Sequence, residues 1–168
     1  PYNEQLIMTA VPGASAANTI TFKGNGVAAI GFGSTTSSDR AVIKLRGARH
    51  FIFDNLVINA NTGTYGYGVQ LINNSDSNIV KNCVINSSLT STDANFAGIV
   101  INGTEAGPVS TGTVLCDYNT FSNNTIIGGY YGITLYATFS GGANGYNQFI
   151  NNDIKEFYQY GMYVGGSY

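Results

Sequence analysis

Charged side chains are scarce in this chain. Asp, Glu, Lys and Arg make up 10% of its 168 residues, against about 25% in ordinary globular domains. Seven Lys and Arg against nine Asp and Glu leave a net charge of −2, which argues against nucleic acid or an anionic membrane as the main partner. No apolar run approaches the roughly 18 residues of a membrane-spanning helix, so no membrane span is expected. Cysteine is limited to Cys83 and Cys116 and histidine to His50. Two thiols and one distant imidazole are too few ligands for zinc, and the six Asp are scattered among turns, whereas calcium wants about six to eight oxygens. Neither a metal nor any other cofactor is expected. A helical period is missing throughout. The chain starts at Pro1 with no initiator Met and no signal-like segment, and is expected to be a mature or excised piece of a longer protein.

Glycine, with 22 residues, and asparagine, with 20, are abundant instead. Solubility must then rest on Asn, Ser, Thr and Tyr, and the turns must be built from neutral amides. The arrangement is repetitive. Asn119-Thr-Phe-Ser-Asn-Asn-Thr-Ile126, followed by Tyr131-Gly-Ile-Thr-Leu135, returns as Asn147-Gln-Phe-Ile-Asn-Asn-Asp-Ile154 followed by Tyr160-Gly-Met-Tyr-Val164, 28 residues later. Looser copies, Phe51 to Val57 and Asn78 to Val84, extend the pattern backwards. So do Gly68-Val-Gln-Leu71 and Gly98-Ile-Val-Ile101.

Strands this short cannot bury their apolar residues alone and must stack on neighbours of the same kind. Parallel stacking about 4.8 Å apart turns like residues into ladders. Val69, Ile99, Ile133 and Met162 form one inward row, and Leu71, Ile101, Leu135 and Val164 a second. Asn55, Asn82, Asn124 and Asn152 are expected as an amide ladder at a turn, since asparagine tolerates left-handed backbone and its amide both donates and accepts.

The pair Asn-x-Phe-x-x-Asn-x-Ile and Gly-Ile-x-Leu resembles the coils of right-handed parallel β-helices, the pectin-lyase-like superfamily, over about residues 41 to 168. The expected fold is all-β, a single right-handed parallel β-helix over residues 1–168, about six coils tall with uncapped ends. Tyr2-Asn-Glu4 is similar to the opening coil of pectin methylesterases and other secreted members. The superfamily includes lyases, hydrolases, esterases and noncatalytic bacterial surface modules, so the fold alone is silent on activity.

The resemblance directs attention to the outer face of one parallel sheet, where Lys44, Gln70, Val100, Thr134 and Tyr163 project. Inverting glycosidases need two carboxylates there, and none is in this row. Arg49-His-Phe-Ile-Phe-Asp54 is similar to a pectin methylesterase motif, but His50 stands where the catalytic Asp belongs. Lys44 and Arg46, with Arg40, Arg49 and His50 close in sequence, read either as a contact for uronic or sulfated sugars or as a solvated strand face protected by charge. Tyr67, Tyr131 and Tyr160 align just before the Gly-Val/Ile strands, as a structural ladder or a sugar-stacking platform. Glycan-contact candidates are Lys44, Arg46, Gln70, Thr134, Tyr136 and Tyr163. Long loops are expected at 87–95, 104–117 and 139–145, and a Cys83–Cys116 disulfide could pin the second of them.

Taken together, the sequence is expected to be a noncatalytic extracellular module, secreted or at the bacterial cell surface, acting as a structural or adhesive scaffold with weak contacts to polysaccharide or cell-surface glycan. One alternative is a filament subunit that self-associates through open coil ends. Another is a fragment of a carbohydrate-active enzyme, whether polysaccharide lyase, glycoside hydrolase or pectin esterase.

Overall fold

A computed structural model of the chain describes residues 2–110, 115–137 and 144–166. Parts of the expected loops at 104–117 and 139–145, and both chain termini, lie outside them. Each coil contributes three strands, beginning with β1 (Tyr2–Asn3), β2 (Leu6–Thr9) and β3 (Ile20–Lys23). The second coil has β4 (Ala29–Gly31), β5 (Ala41–Arg46) and β6 (Phe51–Asp54), and the third β7 (Val57–Asn59), β8 (Gly66–Ile72) and β9 (Ile79–Lys81). The fourth has β10 (Val84–Asn86), β11 (Phe96–Gly103) and β12 (Thr120–Ser122), and the fifth β13 (Thr125–Ile127), β14 (Tyr131–Tyr136) and β15 (Gln148–Ile150). Strands β16 (Asp153–Lys155) and β17 (Tyr160–Gly165) open a sixth. The molecule is therefore an all-β parallel solenoid of a little over five coils, slightly fewer than the six expected.

Strands of like position pair in parallel to make three sheets. The first runs β1-β4-β7-β10-β13-β16, the second β2-β5-β8-β11-β14-β17, and the third β3-β6-β9-β12-β15. The core lies between them and is layered by register. Ile30, Ile58, Ile85, Ile126 and Ile154 stand in line on the first sheet. The third sheet stacks Phe22 on Phe53, with ring centroids 5.3 Å apart, and Phe121 on Phe149 at 5.2 Å. On the second sheet the two inward rows ending in Met162 and Val164 pair as the repeat spacing predicts. β-Branched and aromatic residues suit such ladders because each meets its own kind above and below.

Glycine completes the core at one corner. A Cβ on Gly98 would run into the Ile126 side chain and the Gly132 carbonyl, and one on Gly132 into Ile154 and Gly161. At Gly68, Gly98 and Gly132 the glycine is thus required by close approach between coils rather than by flexibility.

The turns between the third and first sheets correct the expected asparagine row. Asp54 pairs with Lys81 and Lys81 with Ser122, so Asn55 and Asn82 align with Asn123 and Asn151, not with Asn124 and Asn152. These four have left-handed φ of 59, 54, 54 and 52°. Asn124 and Asn152 come one residue later, in the row of Leu56 and Cys83, and Asn124 is turned into the interior with 1% exposure. The two jobs of a turn asparagine, bending the chain and bonding its neighbours, are here divided between adjacent residues.

A second amide ladder stands at the entry to the third sheet, and the sequence reading did not assign it. The Asn119 side-chain oxygen accepts the Asn78 backbone N–H at 2.9 Å, while its amide donates to the Ser75 carbonyl at 3.0 Å. Asn147 does the same one coil on, accepting Asn119 N–H at 3.0 Å and donating to the Cys116 carbonyl at 2.9 Å. The signal was the asparagine that begins three copies of the repeat, at 78, 119 and 147.

Candidate functional site

The outer face of the second sheet is the surface singled out by sequence, and its register is as expected. Lys44 pairs with Gln70, Gln70 with Val100, Val100 with Thr134 and Thr134 with Tyr163. The face is not open. Lys44, Gln70, Val100 and Thr134 are all buried, Lys44 completely.

Over Lys44, Gln70 and Val100 lie the segment 104–110 that follows β11 and the 34–39 loop before β5. Val109 packs on a small outer cluster of Ala41, Tyr67, Ala97, Val100 and Tyr131. Gln70 Nε2 donates to the Thr104 carbonyl at 3.3 Å, and Arg40 donates to the Ala106 carbonyl at 3.0 Å. The Asn102 amide closes on the Gly107 carbonyl. The segment is a strap laid across the strands.

Its charge is matched to the charge beneath. Glu105 lies 3.5 Å from Lys44 Nζ and is ion-paired to Arg46, while Asp39 approaches Lys44 to 3.8 Å. Lys44 also donates to the Ser38 carbonyl. Carboxylates that the row itself lacks are therefore supplied by loops, where they neutralise its cations. A buried ammonium requires such partners.

Arg40 is held differently. Its guanidinium sits 4.7 Å from the Tyr65 ring centroid and donates to the Tyr67 hydroxyl at 3.0 Å. Burial pushes the Tyr67 phenol up to about 12, against the opposing pull of Arg40.

Of the six glycan-contact candidates, Lys44, Gln70 and Thr134 are thus turned into packed surface. Arg46 stays part-exposed at the margin, engaged by Glu105. Tyr136 and Tyr163 remain partly exposed, their rings stacked 5.9 Å apart. The aligned Tyr131 and Tyr160 also stack, at 6.0 Å.

Several other ionisable groups tie coils together. Asp76 pairs with Arg49 at 2.9 Å and accepts the Asp117 N–H at 2.9 Å, and Asp117 in turn accepts the Gly145 N–H at 2.7 Å. Asp54 accepts from the Asn82 amide at 2.8 Å and lies 3.8 Å from Lys81. His50 occupies a left-handed corner position with φ 62°. Among the described residues no three His, Cys, Asp or Glu gather where they could hold a metal ion, and no helix is long and apolar enough to cross a membrane.

Cys83 and Cys116 are both free and buried, so the expected bridge is not formed. They sit at different corners, Cys83 between the third and first sheets and Cys116 between the second and third. Burial raises both thiols, Cys116 to about 12. As closed, apolar-packed groups they are inert rather than reactive.

No family model, curated protein or solved structure matches this chain.

Proposed function

We propose that this chain is a noncatalytic solenoid module of a secreted or surface-attached bacterial protein, which spaces and presents a lateral surface and makes weak contacts with glycans. One observation carries the reading. The outer sheet face that bears the chemistry in carbohydrate-active members of the superfamily this sequence resembles is closed here by the 104–110 strap. Its cations are neutralised from within by Asp39 and Glu105. A face whose charged groups satisfy one another has little left to offer a reacting bond.

The composition supports an extracellular setting. The surface is rich in Asn, Ser, Thr and Tyr and poor in charge, and neutral hydroxyls and amides are the groups that exchange hydrogen bonds with sugars.

Two measurements test the proposal. The purified chain is screened for binding across plant, fungal and bacterial polysaccharides, and for lyase, hydrolase and esterase turnover on pectin and polygalacturonate. Weak binding without turnover is the expected result. Turnover would return the chain to the enzyme class, and absence of all binding would leave the scaffold role without the glycan contact.

A further inference from the structure

The outer face of the first sheet carries a row that the repeat pattern does not advertise. Asn3 pairs with Gly31, Gly31 with Asn59, Asn59 with Asn86 and Asn86 with Ile127. These five residues step across five coils, roughly 19 Å at the usual strand spacing. They line two clefts, of about 280 and 220 Å³, which meet at Asn61.

Gly31 opens the first cleft, because it places no side chain between Asn3 and Asn59. Exposed Tyr2 stands at one end of the pair of clefts and exposed Leu89 at the other.

Between them the floor is neutral and partly unsatisfied. The Asn86 amide donates to the Asn59 side-chain oxygen at 2.8 Å. This leaves the Asn59 N–H groups and the Asn86 oxygen without a protein partner among the described residues. Ser88 accepts from the Thr90 and Ser91 backbone N–H groups at 3.3 and 3.0 Å, and its hydroxyl has no acceptor among the described residues. No charged residue lines either cleft.

We infer that this row is a binding groove for a neutral, hydroxyl-rich polysaccharide lying along the solenoid axis. The absence of lining charge selects against uronic and sulfated sugars, since a carboxylate or sulfate would be desolvated there without a partner. Paired donors and acceptors on one floor match vicinal hydroxyls, each of which also both donates and accepts. Tyr2 supplies an apolar ring face with a polar tip at the groove entrance. An extended peptide fits less well. In a parallel solenoid the backbone N–H and C=O groups are used between coils, so the lateral face presents no strand edge for main-chain pairing.

This inference rests on the glycan-contact reading above and assigns it a location. The test is an NMR titration of the full chain with cello-, xylo- and manno-hexaose, with hexagalacturonate and an extended peptide as controls. A neutral hexasaccharide is expected to move the side-chain amide signals of Asn59 and Asn86 saturably. Asn59→Ala with Asn86→Ala should weaken it about tenfold, the worth of one or two neutral hydrogen bonds. Asn61→Trp, at an exposed position between the clefts, should block binding without touching the core and keeps the test decisive if the double variant folds poorly.

Shifts confined to Arg46, Tyr136 or Tyr163 would overturn the groove and leave the glycan reading standing. Preference of the amides for hexagalacturonate or peptide would overturn it also. No response to any sugar would remove both readings.

Discussion

Asn124 and Asn152 stand one above the other, and the Asn152 side-chain oxygen accepts both the backbone N–H of Asn124 at 3.1 Å and its side-chain amide at 2.9 Å. Asn124 hands the pattern on, accepting the Cys83 N–H at 3.0 Å and donating to the Val80 carbonyl at 2.9 Å. Three coils are thereby joined through two side chains.

Asn124→Ala strands the Cys83 N–H and the Val80 carbonyl in the interior, and is expected to cost about 1 to 3 kcal/mol in urea unfolding. Asn123→Gly is the control. Asn123 is exposed and contributes its left-handed backbone, which glycine adopts without strain. A midpoint for Asn124→Ala equal to wild type would show that the amide ladder carries no stability.

Gly98→Ala tests the coil-to-coil approach. The new methyl meets the Ile126 side chain and the Gly132 backbone at once, and backbone cannot swing aside. A loss of about 1 to 3 kcal/mol is expected from overpacking, read as a lowered melting temperature. Unchanged melting would mean that the coils separate freely at this corner.

Glu105→Gln removes a carboxylate from between Lys44 and Arg46. The strap should then be cleaved faster by a nonspecific protease between residues 103 and 110. Stability should fall by about 1 to 3 kcal/mol, because Lys44 stays buried with less compensation. Unaltered cleavage would show that Val109 and the neutral hydrogen bonds hold the strap alone.

Thr134→Val addresses the opposite case. The Thr134 hydroxyl is buried and has no hydrogen-bond partner among the described residues, so the valine methyl should be neutral or stabilising by up to about 1 kcal/mol. A clear loss on denaturant unfolding would reveal a partner for that hydroxyl.

Alkaline stability follows from the raised groups. Cys116 is held near 12 against an ordinary 9.0, and Tyr67 near 12 against 10.0. In each case the folded state keeps a proton that the unfolded chain releases sooner. Their contribution is therefore complete below about pH 9 and is lost as pH rises towards about 12. Urea midpoints at pH 8, 10 and 11 should decline in that order. A disulfide reagent should find no reactive thiol before unfolding and two afterwards; reaction in the native state would contradict the burial of Cys83 and Cys116.

How the sequence misplaced the asparagine row is instructive. Asn123-Asn124 and Asn151-Asn152 are doublets, and either member gives a spacing of 28 residues. The choice is settled by the asparagine that opens three of the copies. Asn78 is four residues before Asn82, as Asn119 is before Asn123 and Asn147 before Asn151. Where two ladders are read together the register is legible, and from one alone it is not.

The parallel stacking and the inward rows of the second sheet were determined by the sequence, because apolar residues recurring with a period near 28 are buried by stacking like coils. The repeat itself showed at least two strands per coil, and the third was given by the structure. Which outer face stays open was decided only by the tertiary structure. Lys44, Gln70 and Thr134 alternate outward like any solvent-facing residues. Lys44 and Gln70 are covered because the segment carrying Thr104, Glu105 and Val109, tens of residues later in the chain, folds back over this face. Local periodicity records the direction of a side chain relative to its own sheet, and carries no information on what a distant loop will place above it.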